Sequence, residues 1–415
     1  MAEPFDAAVV VVGAGPAGLA AAAHAAEGGA SVLLLDRAPR PGGQIWRHRE
    51  TPPRAARAWI DRVERSGATP LFGATVIDVP APGCLLVEHE GLGRRVRYER
   101  LVIATGARER FLPFPGWTQP GVVGVGAAQA LLRQGARFAG RRVVVAGTGP
   151  LLLTVAAALA ENGARVVGIA EQAPLGRLVG FGRTLTRHPR KAAQGLGYGT
   201  RLLGIPYRTG SWIRSADGRG GVERARLTNG RREWTWDCEI LACAYGLVPN
   251  LELPRLLGCE TAGEALALDE VQRTSVPGVF AAGELDGIGG DALALATGGV
   301  AGTGAAGRSV PAALLQARDR ERAFAVAYKR TFALRDELRH LAGPETVVCR
   351  CEDVPLGRLE SCRSSREAKL LTRAGMGACQ ARVCGPALGF LRGWAADSVR
   401  SPLEPTPLSV LEDQR

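Results

Sequence analysis

The amino-acid sequence predicts an α/β protein with two three-layer domains, one inserted into the other, and a small helical, cysteine-rich domain at the C-terminal end. Three observations predict this fold class. Two segments have the pattern strand, glycine turn, helix, strand, and their turns begin at Gly13 and Gly147. The third observation is a group of cysteines close to the end of the chain, two pairs separated by twenty-seven residues.

The first glycine turn is Gly13-Ala14-Gly15-Pro16-Ala17-Gly18, which follows four consecutive valines. Gly13 permits a sharp turn, Gly15 lets a pyrophosphate approach the backbone, and Gly18 lets the helix pack closely on the sheet. The N-terminus of that helix offers N–H groups and positive dipole to the phosphates. Asp36 ends the next apolar run and can accept hydrogen bonds from a ribose 2′-hydroxyl. The pattern predicts a Rossmann-like dinucleotide-binding unit.

The second turn, Gly147-Thr148-Gly149-Pro150-Leu151-Leu152, repeats this architecture, with Glu171 at the end of the following strand. Leu152 stands where the third glycine is expected, and its side chain should push the helix away from the strand and weaken the approach of a pyrophosphate. Two interpretations therefore stay open. Either Gly147, Gly149, Pro150 and Glu171 bind a second nucleotide, NAD(P) or ATP, or the site is a relic.

Length and composition indicate a globular chain of two or three domains, with 415 residues, 46% hydrophobic and 22% charged. The net charge is +12, carried almost entirely by arginine, but no basic stretch is interleaved with aromatic residues. We therefore expect no nucleic-acid partner. The apolar stretch 143–160 contains the second glycine turn, which predicts a strand and a helix rather than an integral membrane segment.

The N-terminal segment is acidic where a secretory signal would be basic. A cytoplasmic location is therefore expected, with a peripheral position at the inner face of the membrane left open. In that compartment the nine cysteines should be reduced thiols or metal ligands.

Two further motifs place small residues at the ends of predicted strands. Ala104-Thr105-Gly106 follows the strand 101–103, and Ala281-Ala282-Gly283-Glu284 follows Val279-Phe280. Short strands at 74–79, 84–89 and 95–98 precede the first motif, and a loop with a closely packed helix at 287–307 follows the second.

In this order, the turn at 13–18 with Asp36 and the motifs at 104–106 and 279–284 resemble the two-dinucleotide-domain flavoprotein reductases. The resemblance implies FAD extended across the first domain, with its ADP half on the first glycine turn. Glu284 takes the position of an acid, usually Asp, that bonds the ribitol chain. The residues implied for FAD are Gly13, Gly15, Pro16, Ala17, Gly18, Asp36, Arg37, Gly43, Gln44, Ala104, Thr105, Gly106, Gly283 and Glu284.

The predicted domain organisation follows from the same motifs. An FAD-binding domain formed by 1–110 and 246–310 is interrupted at 111–245 by a second, NAD(P)-like nucleotide domain. A helical linker at 311–340 leads to an iron–sulfur domain at 341–400 and a tail at 401–415. Dithiol chemistry beside the flavin is not expected, because Cys84, Cys238, Cys243 and Cys259 form no pair and lie in apolar segments.

The C-terminal cysteines are Cys349 and Cys351, split by one residue, and Cys379 and Cys384, split by four. Four thiolates from two loops can ligate the two irons of a 2Fe–2S cluster. A four-cysteine zinc knuckle is the alternative, but its pairs are usually split by two residues or more. Cys362 lies between the pairs and is expected to be a bystander. The segments 349–352 and 373–380 resemble the bacterioferritin-associated-ferredoxin type of 2Fe–2S domain.

A flavin reductase fold joined to this domain resembles the alpha (A) subunits of opine oxidases and D-hydroxyproline dehydrogenases and the B subunit of hydrogen cyanide synthase. The resemblance implies an electron-transferring subunit that works with an electron acceptor, an amino-acid-oxidase-like flavoprotein (beta) subunit and a small 2Fe–2S ferredoxin-like subunit. It also allows FMN at a subunit interface. We identify no catalytic acid–base residues. A stand-alone NAD(P)H-dependent reductase and a purely structural second domain are the alternatives.

Overall fold

The structure is a computed structural model that describes residues 5–396 and 398–412. The first four residues of the predicted FAD domain, Asp397 of the predicted iron–sulfur domain and the last three residues of the predicted tail lie outside the described residues.

The helices are α1 Pro16–Glu27, α2 Arg54–Ser66, α3 Val125–Arg133, α4 Leu151–Glu161, α5 Leu175–Leu185, α6 Pro189–Arg201, α7 Glu252–Leu256, α8 Gly290–Ala305, α9 Ala312–Thr331, α10 Ser365–Thr372, α11 Cys384–Arg392 and α12 Leu408–Glu412. Three short 3₁₀ helices span Gly283–Asp286, Asp336–His340 and Leu356–Leu359. Among the described residues, no helix is both long enough and apolar enough to span a membrane.

The strands are β1 Phe5–Val12, β2 Val32–Asp36, β3 Thr69–Phe72, β4 Ala74–Ala81, β5 Cys84–His89, β6 Leu92–Ile103, β7 Ala107–Glu109, β8 Val122–Gly124, β9 Arg142–Gly147, β10 Arg165–Glu171, β11 Tyr207–Thr209, β12 Trp212–Asp217, β13 Arg224–Thr228, β14 Glu233–Asp237, β15 Ile240–Ala244, β16 Leu247–Pro249, β17 Thr261–Ala262, β18 Ala265–Leu266, β19 Val279–Ala281, β20 Val347–Cys349 and β21 Val354–Pro355.

The chain forms two compact units, of which the first contains residues up to 108, 249–326 and those from 398 onward. Its sheet has the strand order β3-β2-β1-β6-β5-β4, and β19 pairs with the end of β6. The pairs that involve β1, β2, β3 and β19 are parallel, whereas β4, β5 and the first half of β6 pair antiparallel. The carboxyl ends of the parallel strands, where ligands bind in open α/β sheets, therefore meet at one edge.

Helices α1 and α8 cover one face of this sheet and pack backbone to backbone. A Cβ on Gly298 or Gly302 would overlap the carbonyl oxygen of Ala17 or Ala21, so only glycine fits at these two positions of α8. The alanine-rich helix α1 is buried along most of its length. This close approach packs the N-terminal half of α1 against the middle of α8.

The second unit contains residues 109–248 and 327 to the end of the cysteine-rich segment. Its parallel five-stranded sheet has the order β11-β10-β9-β15-β8, and a separate antiparallel sheet consists of β12-β13-β14. The cysteine-rich segment adds the antiparallel pair β20-β21 and the helices α10 and α11. The Trp117 indole donates a hydrogen bond of 2.6 Å to the carbonyl oxygen of Val347, and Leu338 and Leu341 join the core around Phe114.

The Rossmann-like α/β sheets are as predicted, and the differences lie in single elements. The strand expected at 95–98 is not separate, because β6 runs unbroken from Leu92 to Ile103. Helices α5 and α6 were not predicted, since each contains three glycines, and every glycine disfavours a helix by about 1 kcal/mol. The predicted strand and helix within 143–160 are confirmed as β9 and α4.

Candidate functional site

The first glycine turn is fixed by backbone contacts that exclude side chains. Gly13 has φ +106°, and a Cβ there would overlap the carbonyl oxygen of Ala104. A Cβ on Gly18 would overlap the carbonyl oxygen of Gly13. These two contacts bring the end of β6 and the first turn of α1 against the end of β1. Residues assigned to FAD from two distant motifs thus lie together.

Asp36 holds the turn with both carboxylate oxygens. The amide of Ala14 donates to Oδ2 at 2.6 Å, and the amide of Ala38 donates to Oδ1 at 2.7 Å. A carboxylate oxygen accepts more than one hydrogen bond, so Asp36 keeps acceptor capacity for a ribose hydroxyl. Its position at the end of β2 therefore suits the role expected from the sequence.

Gly15 is the N-cap of α1, with φ −75°, and its neighbour in space is Gly43. The nearest atom to an ideal Cβ there is Cα of Gly43, at 3.8 Å. Within the described residues no side chain caps this helix, which begins with Pro16, so its first-turn amides are available to an anion. An uncapped N-terminus, with no side chain of the described residues beside Gly15 or Gly43, fits a pyrophosphate.

Gly283 and Glu284 belong to the motif at 279–284, which is distant in the sequence. The structure places Gly283 beside the first glycine turn. A Cβ on Gly283 would lie only 2.8 Å from that of Ala17, and the Gly283 amide donates to Oγ1 of Thr297 at 2.9 Å. Glu284 accepts hydrogen bonds from the amides of Gly289 at 2.9 Å and Gly290 at 3.2 Å. Burial raises the pKa of this carboxyl to about 7. The side chain of Glu284, longer than that of Asp, therefore bonds to the backbone where α8 begins.

The remaining residues assigned to FAD are less enclosed. The exposed side chain of Arg37 forms an ion pair with Glu404 at 3.5 Å, and Gln44 accepts a hydrogen bond from Arg47 at 2.8 Å. Thr105 and Gly106 are tied to Asn250, whose amide nitrogen donates to the Thr105 carbonyl at 2.8 Å and whose backbone N–H donates to that of Gly106 at 2.9 Å. Asn250 was missed, because nothing near it in the sequence forms a motif.

The second glycine turn has a different backbone. Gly147 has φ +134° and Gly149 has φ +97°, whereas Gly15, the counterpart of Gly149, has φ −75°. Leu152, at the position of Gly18, has the Cβ that the first turn excludes and is fully buried in the core of the second unit. The prediction that this leucine alters the turn is consistent with that geometry.

Glu171 occupies the interior of the second turn. Its carboxylate accepts hydrogen bonds from the amides of Gly149 at 2.7 Å and Ala173 at 2.8 Å, and from the Thr148 hydroxyl at 3.0 Å. Burial raises the pKa of Glu171 to about 7. Like Asp36 in the first unit, this acid is bonded on both oxygens to backbone amides around its own turn.

The four C-terminal cysteines are brought together in two pairs across the chain. The thiols of Cys349 and Cys384 share a hydrogen bond, and so do those of Cys351 and Cys379. The bond from Cys384, with backbone amides that include Gly375 at 3.4 Å, lowers the pKa of Cys349 to about 5. Sulfurs surrounded by backbone N–H groups suit the anionic sulfur of an iron–sulfur cluster.

Glycine is required at one position beside these thiols. A Cβ on Gly377 would overlap the Cβ of Cys351.

Cys362 is buried in the small core of this segment, consistent with a packing role. In the part of the chain that the structure describes, no three or more His, Cys, Asp or Glu side chains are already arranged as metal ligands. All nine cysteines are free thiols.

Comparisons with known proteins agree with this architecture. The family model described as pyridine nucleotide-disulphide oxidoreductase matches residues 7–311. The alpha (A) subunit of opine oxidase from Rhizobium meliloti is 33% identical, over 97% of this chain and 98% of that protein. The HcnB subunit of hydrogen cyanide synthase from Pseudomonas aeruginosa is 31% identical, over 97% and 98%. The crystal structure of L-proline dehydrogenase from P. horikoshii has a similar fold, with a TM-score of 0.70 and 19% identity, over 99% of this chain and 80% of that one.

Proposed function

Because this chain belongs to the pyridine nucleotide-disulphide oxidoreductase family, we propose that it is the FAD- and 2Fe–2S-containing, electron-transferring subunit of a heteromeric amine or amino-acid dehydrogenase. Membership makes the chain a flavin-dependent oxidoreductase, and the family implies binding of FAD and NAD(P). The observation that carries the proposal is the presence, in one chain, of a glycine turn that leads into the uncapped N-terminus of α1 and of four paired thiols.

The residues for FAD in this proposal are those of the first unit. The amides of the first turn of α1 bind the pyrophosphate, Asp36 accepts hydrogen bonds from the ribose, and Gly13 and Gly18 keep the strand and helix close enough for both. Gly283 lines the proposed FAD site on the side opposite the glycine turn. When bound, FAD accepts two electrons and releases them one at a time, and a 2Fe–2S cluster carries one.

In the proposed cluster site, Cys349 and Cys384 supply one pair of ligands and Cys351 and Cys379 the other. The backbone N–H of Gly375 already points at the sulfur of Cys349, and Gly377 leaves room beside Cys351. The exposed Cys351 and half-buried Cys379 put one edge of the site near solvent. That edge is where a partner carrier would exchange an electron.

The relatives named above are subunits, and this chain aligns with nearly their whole length. We therefore propose an amino-acid-oxidase-like flavoprotein as the partner that oxidises the amine, with a small 2Fe–2S protein and an acceptor downstream, and FMN at a subunit interface. Opines, D-hydroxyproline and similar secondary amines or amino acids are the proposed substrate class. The proposed location is the cytoplasm, including the inner face of the membrane.

A second candidate function is favoured by one specific observation. The similarity to the HcnB subunit of hydrogen cyanide synthase is almost as high, and as complete, as that to the opine oxidase chain. In that case the partner chain would oxidise glycine, while the residues of this chain would hold the same cofactors.

The experiment is to purify the full chain anaerobically with any flavoprotein partner that co-purifies, and to add opines, D-hydroxyproline, glycine or NADH separately. We expect one amino-acid substrate to bleach the flavin absorbance of the complex, and the same substrate to leave the isolated chain unchanged. Reduction by glycine alone would favour the second candidate.

Two results would contradict the proposal. Rapid bleaching of the isolated chain by NADH would identify a stand-alone reductase. A preparation that contains neither flavin nor acid-labile sulfide after anaerobic handling would exclude the electron-transfer role.

A further inference from the structure

The second glycine turn is covered by a segment of the same unit that comes much later in the sequence. The hydroxyl of Tyr328 would lie 2.8 Å from a Cβ built on Gly149, so the tyrosine ring occupies the space directly beside this glycine. At the corresponding place in the first turn, the nearest atom is 3.8 Å away. We call Tyr328–Arg335 the closing segment.

Aromatic packing holds the start of the closing segment. The Phe332 ring lies 5.0 Å from that of Tyr328 and 5.3 Å from that of Phe181 on α5, measured between centroids. Both phenylalanines are buried. Offset and edge-to-face ring pairs at such distances stabilise by about 0.5–1.5 kcal/mol each, in addition to their burial.

Hydrogen bonds hold the end of the closing segment. Gln172 is fully buried, and its amide nitrogen donates to the carbonyl oxygen of Ala333 at 3.3 Å, while its amide oxygen accepts from the backbone N–H of Arg335 at 3.2 Å. The same nitrogen lies 2.9 Å from the Thr148 hydroxyl of the turn. The guanidinium of Arg335 stacks over Trp212 at 4.7 Å. Gln172 therefore links the turn to the closing segment.

The interior of the turn is closed as well. The Gly149 amide, which would face a pyrophosphate, already donates to Glu171. A dinucleotide would have to bring its phosphates against this buried carboxylate and also displace the Tyr328 ring. In the described part of the chain, the first turn has no counterpart of the Tyr328 ring, although Asp36 accepts a hydrogen bond from the Ala14 amide there much as Glu171 does from that of Gly149. The residues present do not fit NAD(P) or ATP at the second turn.

We infer that the closing segment permanently blocks the second nucleotide-type site. The domain that contains this site then supports the cysteine-rich segment instead of binding a nucleotide. The chain continues from Arg335 directly into Leu338 and Leu341, which pack in the core of the second domain. A domain of nucleotide-binding architecture is thus used to position the four thiols.

The inference bears on the source of the electrons, and in that respect it rests on the proposed function. With the second turn sealed, NAD(P)H has no site from which to reduce a flavin in this chain. Electrons must then come from a substrate oxidised on another subunit.

The test uses the FAD-loaded full chain without its partner. NADH, NADPH and ATP are titrated separately by calorimetry, and hydrogen–deuterium exchange of residues 328–335 is recorded with and without each nucleotide. We expect no saturable binding up to about 1 mM and protected amides in the closing segment. Stoichiometric binding accompanied by faster exchange in the closing segment would overturn the inference. Binding that leaves the protection intact places the nucleotide elsewhere and supports the seal.

The variant Tyr328→Ala should raise exchange in the closing segment by about tenfold or more, because the ring over Gly149 is lost. Tyr198→Ala, on α6, is the matched control and should leave exchange there unchanged. If Tyr328→Ala does not fold, the titration of the native chain still decides the question. Amine-dependent reduction of the complex is measured separately, so failure of the seal and failure of the proposed function give different results.

Discussion

Thr105 and Asn250 exchange hydrogen bonds: the Thr105 hydroxyl donates to the carbonyl oxygen of Asn250 at 3.0 Å, and the Asn250 amide donates to that of Thr105 at 2.8 Å. Arg108 adds a third bond, at 2.8 Å, to the side-chain oxygen of Asn250. These bonds fix the small-residue motif after β6 to the segment where the chain returns to the first unit.

Asn250→Ala should therefore destabilise the first unit by about 1–3 kcal/mol, because the Thr105 carbonyl and Arg108 both lose a partner. Denaturant unfolding measures this change, and the FAD content of the purified variant should fall with it. Asn162→Ala is the matched control, since that amide bonds a carbonyl at an exposed helix end. Equal losses in the two variants would contradict the special role of Asn250.

Gly15→Ala and Gly18→Ala separate cofactor binding from folding. Alanine at 15 meets no atom closer than 3.8 Å and keeps φ −75°, so the free energy of unfolding of the cofactor-free chain should change by less than about 1 kcal/mol. The methyl group would nevertheless obstruct the pyrophosphate, and flavin content should fall sharply. At 18 the methyl group overlaps the Gly13 carbonyl, and we expect unfolding or aggregation. Full flavin occupancy in folded Gly15→Ala would refute the assignment.

The buried carboxyl of Glu171 predicts a pH dependence of stability. Its folded pKa of about 7 lies above the ordinary value of 4.5, so the folded state binds the proton more tightly than the unfolded state. This contribution is complete below about pH 4.5 and is lost as the pH rises to about 7, by about 3 kcal/mol at most.

Glu171→Gln should flatten this dependence when unfolding is measured from pH 5 to pH 8. Glu161→Gln, at an exposed position on α4, should keep the slope of the native chain and serves as the control. An unchanged slope in Glu171→Gln would mean that the carboxyl titrates normally. Glu284 contributes in the same direction from the first unit, so the comparison of variants, not the total slope, isolates Glu171.

Serine substitutions test the cluster ligands. Native protein should contain about two irons and two acid-labile sulfides per chain. Cys349→Ser, Cys351→Ser, Cys379→Ser and Cys384→Ser should each reduce both, measured by colorimetric assay and by the electron paramagnetic resonance of the reduced protein. Cys362→Ser, also buried in this segment, should retain them. Stoichiometric zinc in place of iron would favour the zinc knuckle.

Short-range patterns predicted the parts of the fold that local chemistry determines. The turn at 13–18, its flanking strands and Asp36 could be located because each residue has a conformational or hydrogen-bonding requirement that limits its type. The four cysteines proposed as cluster ligands were selected from the sequence by their spacing, and that role stays a prediction. In contrast, α5 and α6 form despite three glycines each, which intrinsic helix propensity does not predict.

The second turn shows a different limit. Leu152 indicated from the sequence that the turn was altered, but not which residues lie beside it. Tyr328 and Gln172 act through contacts between positions far apart in the chain, and neither belongs to a motif. Asn250 was missed for the same reason, because its partners precede it by more than 140 residues.

The pairing of β19 with β6 has a consequence for synthesis of the protein. Val279 and Phe280 complete a sheet whose other strands are finished by residue 103, and Gly298 and Gly302 then seat α8 against α1. During synthesis, the N-terminal part of the flavin-binding unit therefore cannot complete its sheet. Its apolar face stays uncovered until nearly two hundred further residues have left the ribosome.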